Sequence, residues 1–198
     1  MNDNELESFI SEQSSAEDED PREAKALRHA NAFFDFVEIA TFTVLIILVL
    51  SCFLFRHTIV DGGSMMNTLQ NGQHLIISDF LYTPKNGDIV VFDPIGDDSG
   101  SPLIKRVIAT AGQTVEMRSG TVFVDGVALE ESYVFLDGAI DSEHRDYPET
   151  LIPEGYVFVL GDHRNNSKDS RYDEIGLVDV RSILGRVVLR LSPFGGVS

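Results

Sequence analysis

Cysteine is nearly absent. Cys52 is the only one in 198 residues, so no intramolecular disulfide can form and no zinc site can be built on paired thiolates. The five histidines (His29, His57, His74, His144 and His163) lack the i, i+4 spacing that presents two imidazoles to a metal from one helix face. Cations are scarce as well, with 15 Lys and Arg against 32 Asp and Glu and a formal net charge of −17. Residues 1–38 hold three Lys/Arg and eleven acidic side chains, a balance of −8, which leaves −9 for residues 39–198. Neither part offers the basic surface that a phosphate backbone requires, which argues against a nucleic-acid partner. No internal repeat is present, and no amphipathic helical period can be traced after residue 58.

The chain does contain one membrane-length apolar run. Ile39–Phe55 is seventeen residues without a charge. As a helix it rises roughly 25 Å, and a few flanking residues complete the ~30 Å of a hydrocarbon core. Phe33, Phe34 and Phe36 extend the run backwards, while Asp35 and Glu38 mark an interface. A buried core helix fits the same composition. A cleaved signal peptide fits worse, because an acidic segment precedes the run where a basic start would be needed. Residues 1–24 are rich in Asp, Glu, Ser and Asn and bury too little apolar surface to offset their ordering entropy. A solvated acidic helix over Glu17–Arg28 is the alternative there. The expected division is an acidic, disordered cytoplasmic tail over 1–31, a transmembrane helix with its flanks over 32–56, and an extracytoplasmic β domain over 57–198. The orientation follows from Arg22, Lys25 and Arg28 before the run, against Arg56 and then no cation until Lys85 behind it.

From Thr58 onwards short apolar runs alternate with turn formers. Strands are expected at His74–Ser78, Asp88–Phe92, Leu103–Ala109, Thr114–Arg118, Thr121–Val124, Tyr156–Leu160 and Ile183–Leu191. Asn71-Gly72, Asn86-Gly87, Ser119-Gly120, Asp125-Gly126 and Glu154-Gly155 punctuate them. The fold class is therefore mostly β, a partly closed β-barrel or folded antiparallel sheets, preceded by a single transmembrane helix.

Three clusters stand out within that domain. Asp61-Gly62-Gly63-Ser64-Met65-Met66-Asn67-Thr68-Leu69 places a serine after two glycines that permit a tight turn; by itself this is also an ordinary glycine turn with an exposed serine. Leu103–Ala109 is an apolar strand broken by Lys105 and Arg106, whose side chains must point to opposite faces. Burial among Leu103, Val107 and Ala109 would lower the Lys105 amine toward neutrality and make it a base. An edge strand with both stems reaching water satisfies the same pattern. Gly161–Arg171 is a run of eleven polar or small residues, either a plain loop or a shell of hydrogen-bonding groups around a reactive pair.

Taken in this order, the serine stretch, the lysine strand and the polar loop resemble the signature boxes of bacterial type I signal peptidases. The lesser boxes Gly87–Phe92 and Thr121–Gly126 and the late Ser192-Pro193-Phe194 resemble them too. The resemblance implies a membrane-anchored serine endopeptidase that cleaves N-terminal signal peptides from exported preproteins at the outer membrane surface. It implies Ser64 as nucleophile and Lys105 as general base, with Ser167 hydrogen-bonding and orienting the lysine amine. Asp169 and Arg171 match a structural ion pair. The Ser64 N–H belongs to the implied oxyanion hole. Gly62 stands where some members carry a second, hydroxyl donor, so any donation there must come from backbone. Asn67 replaces the usual proline and His163 the more usual asparagine. Met65 is a candidate pocket wall. The resemblance further implies no metal or organic cofactor, a lipid bilayer and preproteins as partners, and function as a monomer. A self-cleaving repressor, which uses a similar dyad, has no need of the apolar span, and a catalytically idle peptide-binding β domain is the other alternative.

Overall fold

The structure, a computed structural model, describes residues 21–94, 101–140 and 145–197. By packing the chain divides between Ser51 and Cys52.

Among the described residues the first unit is one helix, α1 (Pro21–Leu54), whose last three residues lie past that division. It opens on a proline, which suits a first helical position because the missing N–H would have no partner there. The next residues, Arg22-Glu23-Ala24-Lys25-Ala26-Leu27-Arg28, are strong helix formers, which is why the helix reaches back into the segment expected as a tail. The boundary expected at residue 31/32 is therefore not a structural one for residues 21–31. Residues 1–20 of that tail lie outside the described residues. Asn31–Ser51 is apolar enough and long enough to cross a membrane, and none of it is buried. Its hydroxyl side chains are satisfied within the helix: those of Thr41, Thr43 and Ser51 donate to the carbonyls of Val37, Ile39 and Ile47. A hydroxyl spent on the i−4 carbonyl adds no unpaired group to an apolar helix.

The second unit is mostly β, as expected. Its larger sheet is curled and antiparallel. Its order is β1 (Arg56–Ile59), β2 (His74–Ser78), β11 (Ile183–Leu191), β3 (Ile89–Phe92), β4 (Leu103–Thr110), β9 (Tyr156–Leu160) and β10 (Val178–Asp179), with β12 (Phe194–Gly195) beside β11. A second sheet runs β7 (Val127–Ala128), β6 (Thr121–Val124), β5 (Thr114–Arg118), β8 (Tyr147–Leu151). Bulges at Val187/Leu189, Ile183/Gly185 and Val107/Ala109 interrupt the ladders of the large sheet, and such irregularities bend and twist a sheet. β3 is apolar at every position because it is covered on both sides: Ile89 and Val91 join a core with Val60, Met65, Leu69, Leu75, Ile77, Ile104 and Val187, while Val90 and Phe92 join one with Val107, Val157, Val159 and Val178. A third core joins Ile108, Ala109, Phe158 and Leu160 to the second sheet through Val115, Met117 and Val122.

β4 corrects one expectation. It is an interior strand between β3 and β9, so the reading of an edge strand with both cationic stems in water is wrong. Lys105 and Arg106 are 2% and 3% exposed.

Candidate active site

The serine stretch is a compact turn held at both ends. The Val60 N–H donates to Gln73 O and the Gly72 N–H to Val60 O. Inside it, Met66 N–H donates to Gly63 O at 3.1 Å, and Thr68 and Leu69 N–H donate to Met65 O at 2.9 and 2.8 Å. Met65 and Leu69, one turn apart, are sunk in the core and leave Ser64 half-buried between them and solvent. The exposed methionine beside Ser64 is Met66, and Met65 is a core residue rather than an open wall. The Met66–Asn67 peptide bond is cis. Gly62 has φ +92°, a conformation that glycine adopts without a steric penalty. Its N–H donates to Asn71 Oδ1 at 2.9 Å. That bond occupies the Gly62 N–H. Among the described residues, the N–H of Ser64 makes no hydrogen bond.

Lys105 arrives from β4, where it pairs with Val90. Its Nζ lies 3.0 Å from Ser64 Oγ and 3.0 Å from the Ile104 carbonyl. Burial pushes the amine down to about 8, against an opposing pull from the Asp169 carboxylate. An amine so depressed is partly neutral at physiological pH and carries a lone pair within reach of a hydroxyl proton.

The polar loop is not a plain surface loop. Gly161, Asp162, His163, Arg164, Ser167, Asp169, Ser170 and Arg171 are all buried. Asp169 holds it together: its Oδ1 accepts Arg171 Nε at 2.7 Å, while its Oδ2 accepts an Arg171 terminal nitrogen at 2.8 Å and the Gly161 N–H at 3.0 Å. The same guanidinium donates to Arg164 O. Gly161 is required by space, since a Cβ there would lie 2.1 Å from Ser167 Oγ and 2.6 Å from Ser64 O. Ser167 is therefore packed under the nucleophile stretch. Its hydroxyl makes no hydrogen bond among the described residues, and the expected bond to the Lys105 amine is not formed in this structure.

The profile of the signal peptidase, peptidase S26 family matches residues 33–192, most of the chain. The chain belongs to this serine peptidase family. Similar proteins include the probable signal peptidase I-1 of a Synechocystis species, 37% identical over 155 residues that cover 74% of this chain and 76% of that one. Signal peptidase I of Bacillus licheniformis is 31% identical over 190 residues, covering 88% and 97%. A solved signal peptidase I from Enterococcus faecalis V583 shares 34% identity and a TM-score of 0.42, covering 53% of this chain and 97% of its own. Membership of the signal peptidase I family supports cleavage of signal peptides from preproteins.

In this signal peptidase several further residues complete the site. Arg106, on the face of β4 opposite Lys105, makes two bonds to Asp162, Nε to Oδ1 at 2.9 Å and a terminal nitrogen to Oδ2 at 2.8 Å, and donates to Gly87 O. Thr68 Oγ1 donates to the same carboxylate, so Asp162 ties β4, the polar loop and the serine stretch together. The Tyr133 ring covers the Arg106 guanidinium at 3.9 Å, and Glu131 pairs with Arg164. The polar neighbour of Lys105 in the sequence pointed to Arg106; nothing in the pattern around Glu131 and Tyr133 singles them out. His163 is also engaged. Its N–H donates to Ser64 O at 3.0 Å, and its ring lies between Gly63 O and Asp137.

Proposed function

We propose that this chain is a membrane-anchored signal peptidase working through a Ser64–Lys105 dyad at the outer surface of the cell membrane. The observation that carries the reading is the 3.0 Å approach of Lys105 Nζ to Ser64 Oγ, by an amine that burial lowers to about 8. Neutral Lys105 takes the proton of Ser64 as Oγ attacks the scissile carbonyl of the preprotein. The tetrahedral oxyanion is received by the Ser64 N–H, a donor left open in the stretch. Collapse expels the amine of the mature chain, which takes the proton from Lys105, and leaves an acyl-enzyme on Ser64. Lys105, again neutral, deprotonates a water that hydrolyses the ester. No metal or organic cofactor takes part in these steps.

Asp169, Arg171 and Gly161 fix the loop that backs the dyad, and the Arg106–Asp162 pair fixes the strand that carries Lys105. Ser167 keeps its proposed place as an orienting neighbour through packing against the Ser64 main chain. The Asn31–Ser51 segment supplies the bilayer anchor, with the amino terminus on the cytoplasmic side and residues 57–198 outside. The domain contributes both members of the dyad from one chain, which fits action as a monomer. A processing assay on a full-length preprotein tests the reading. Ser64→Ala and Lys105→Ala should each abolish cleavage while the domain stays folded; near-normal cleavage by either variant overturns the dyad.

A further inference from the structure

His163 contacts the serine stretch through both its backbone and its ring. Its side chain is 2% exposed. Phe135 packs edge-on to its ring, with centroids 4.9 Å apart and planes at 70°. The segment carrying Phe135 is bonded to both neighbours of His163, Phe135 N–H to Asp162 O at 2.9 Å and Arg164 N–H to Phe135 O at 3.2 Å. Nδ1 lies 3.2 Å from the Gly63 carbonyl and Nε2 lies 3.0 Å from Asp137 Oδ1. The Gly63 carbonyl can only accept, so the contact at Nδ1 is a hydrogen bond donated by the ring.

The Gly63–Ser64 peptide unit is planar, and in its trans form the Gly63 C=O and the Ser64 N–H point in opposite directions. Whatever holds the carbonyl therefore aims the N–H. Two bonds set this unit, from Nδ1 of His163 and the Met66 N–H to Gly63 O, and the His163 N–H on Ser64 O holds the next unit. A donor on a peptide carbonyl also polarises the amide and strengthens the bond its N–H can give on the other side.

We infer that His163 is a positioning residue for the proposed reaction: by donating to Gly63 O it aims and strengthens the Ser64 N–H that receives the oxyanion. Asp137 holds the other side of the ring, and Asn165 Nδ2 in turn donates to the same Asp137 Oδ1 at 2.7 Å. The hydrogen bonds from His163 and Asn165 keep the Asp137 carboxyl below its usual range. This inference rests on the dyad reading, since it assigns a role through Ser64.

Two polar substitutions divide the ring's contacts. The amide nitrogen of His163→Asn falls near the position of Nδ1 and keeps the grip on Gly63 O. That of His163→Gln falls near Nε2 and keeps Asp137 while releasing Gly63 O. Steady-state cleavage of a preprotein by the full chain in detergent micelles is the readout, with thermal midpoints measured alongside. His163→Asn should keep kcat within about threefold of the parent, and His163→Gln should lose about tenfold or more in kcat with KM unchanged, a part of the ~10²–10³ lost when an oxyanion donor is removed altogether. Both midpoints should fall by similar amounts, since each variant gives up the ring's packing on Phe135 and one of its two ring bonds. Equal kcat in the two variants, or a loss that appears in KM or follows the midpoint instead, overturns the role of His163. Ser64→Ala and Lys105→Ala in the same assay separate the two levels. If they are inactive and His163→Gln is normal, only this inference falls; if either is active, the dyad reading falls and takes this inference with it.

Discussion

Lys105 is the residue at which reactivity and stability pull in opposite directions. Its amine is lowered from 10.5 to about 8 chiefly by burial, so cleavage should rise with pH as the neutral form fills and level off above about 8. A pH–kcat profile checks this, and a flat profile between pH 6 and pH 9 would contradict it. The same depression destabilises the folded chain wherever the buried amine must carry its proton. That penalty is complete below about 8 and fades between about 8 and 10.5, where the unfolded amine is itself losing its proton. Its size at neutral pH is on the order of 3 kcal/mol. Lys105→Met, a straight apolar chain of similar reach, should therefore be inactive yet more stable than the parent at pH 7, with the gap closing as pH rises toward 10.5. Denaturant unfolding at several pH values measures it, and a Met variant less stable at pH 7 would show that the bonds to Ser64 and Ile104 outweigh desolvation. Lys105 and Ser64 drew notice because each breaks a local pattern, a cation in an apolar strand and a serine after two glycines, while the roles expected of them came from the resemblance to the signal peptidase boxes. The partners of Gly62 and Ser167 were not, since which N–H is already spent on Asn71, and which hydroxyl is left without a donor or acceptor, depends on the folded geometry and leaves no local pattern in the sequence.

At the scale of elements, β4 and the Gly161–Arg171 loop are one mechanical unit. The Arg106–Asp162 pair is buried on both sides, with exposures of 3% and 0%. Removing one partner of such a pair leaves a charge without its counterpart in the interior, which typically costs about 3–5 kcal/mol. Arg106→Met should show a loss of that order in denaturant unfolding and a slower cleavage even where the variant is folded, because Asp162 also holds Thr68 in the serine stretch. A loss below about 1 kcal/mol would mean that the pair is not structural. Gly161→Ala tests the other end of the unit. Its Cβ would strike Ser167 and the Ser64 carbonyl, so it should lower both the thermal midpoint and kcat, where an ordinary glycine-to-alanine change leaves them alone. The strands that carry this unit were read nearly to the residue, because β2, β5, β6, β9 and β11 are apolar runs bounded by turn dipeptides. The strands that escaped notice had reasons to. Pro148 lies inside β8, an edge strand bonded only to β5, where a residue without an N–H is tolerated. β1 is four largely exposed residues with no alternation, and β7, β10 and β12 are two residues each.

At the scale of the whole molecule, the net charge of −17 says nothing about which way the chain crosses a bilayer, because orientation follows Lys and Arg near the span while Asp and Glu count for little. Three cations (Arg22, Lys25 and Arg28) lie in the exposed amino-terminal part of α1, against Arg56 beyond its end. That margin is narrow enough to be tested by removing it. In cells expressing the full chain, protease added from outside should degrade residues 57–198 and spare an amino-terminal tag, and an alkaline wash should leave the protein in the membrane pellet. Replacing Arg22, Lys25 and Arg28 together by Gln leaves Arg56 as the only cation near the span, so a measurable share of chains should then expose the amino-terminal tag to the protease. Because the folded β domain of an inverted chain would lie on the wrong side of exported substrates, preprotein processing should fall in proportion to that share. An unchanged protease pattern in the triple variant would show that the three cations do not set the topology, and processing that fell without inversion would place their effect elsewhere in the reaction.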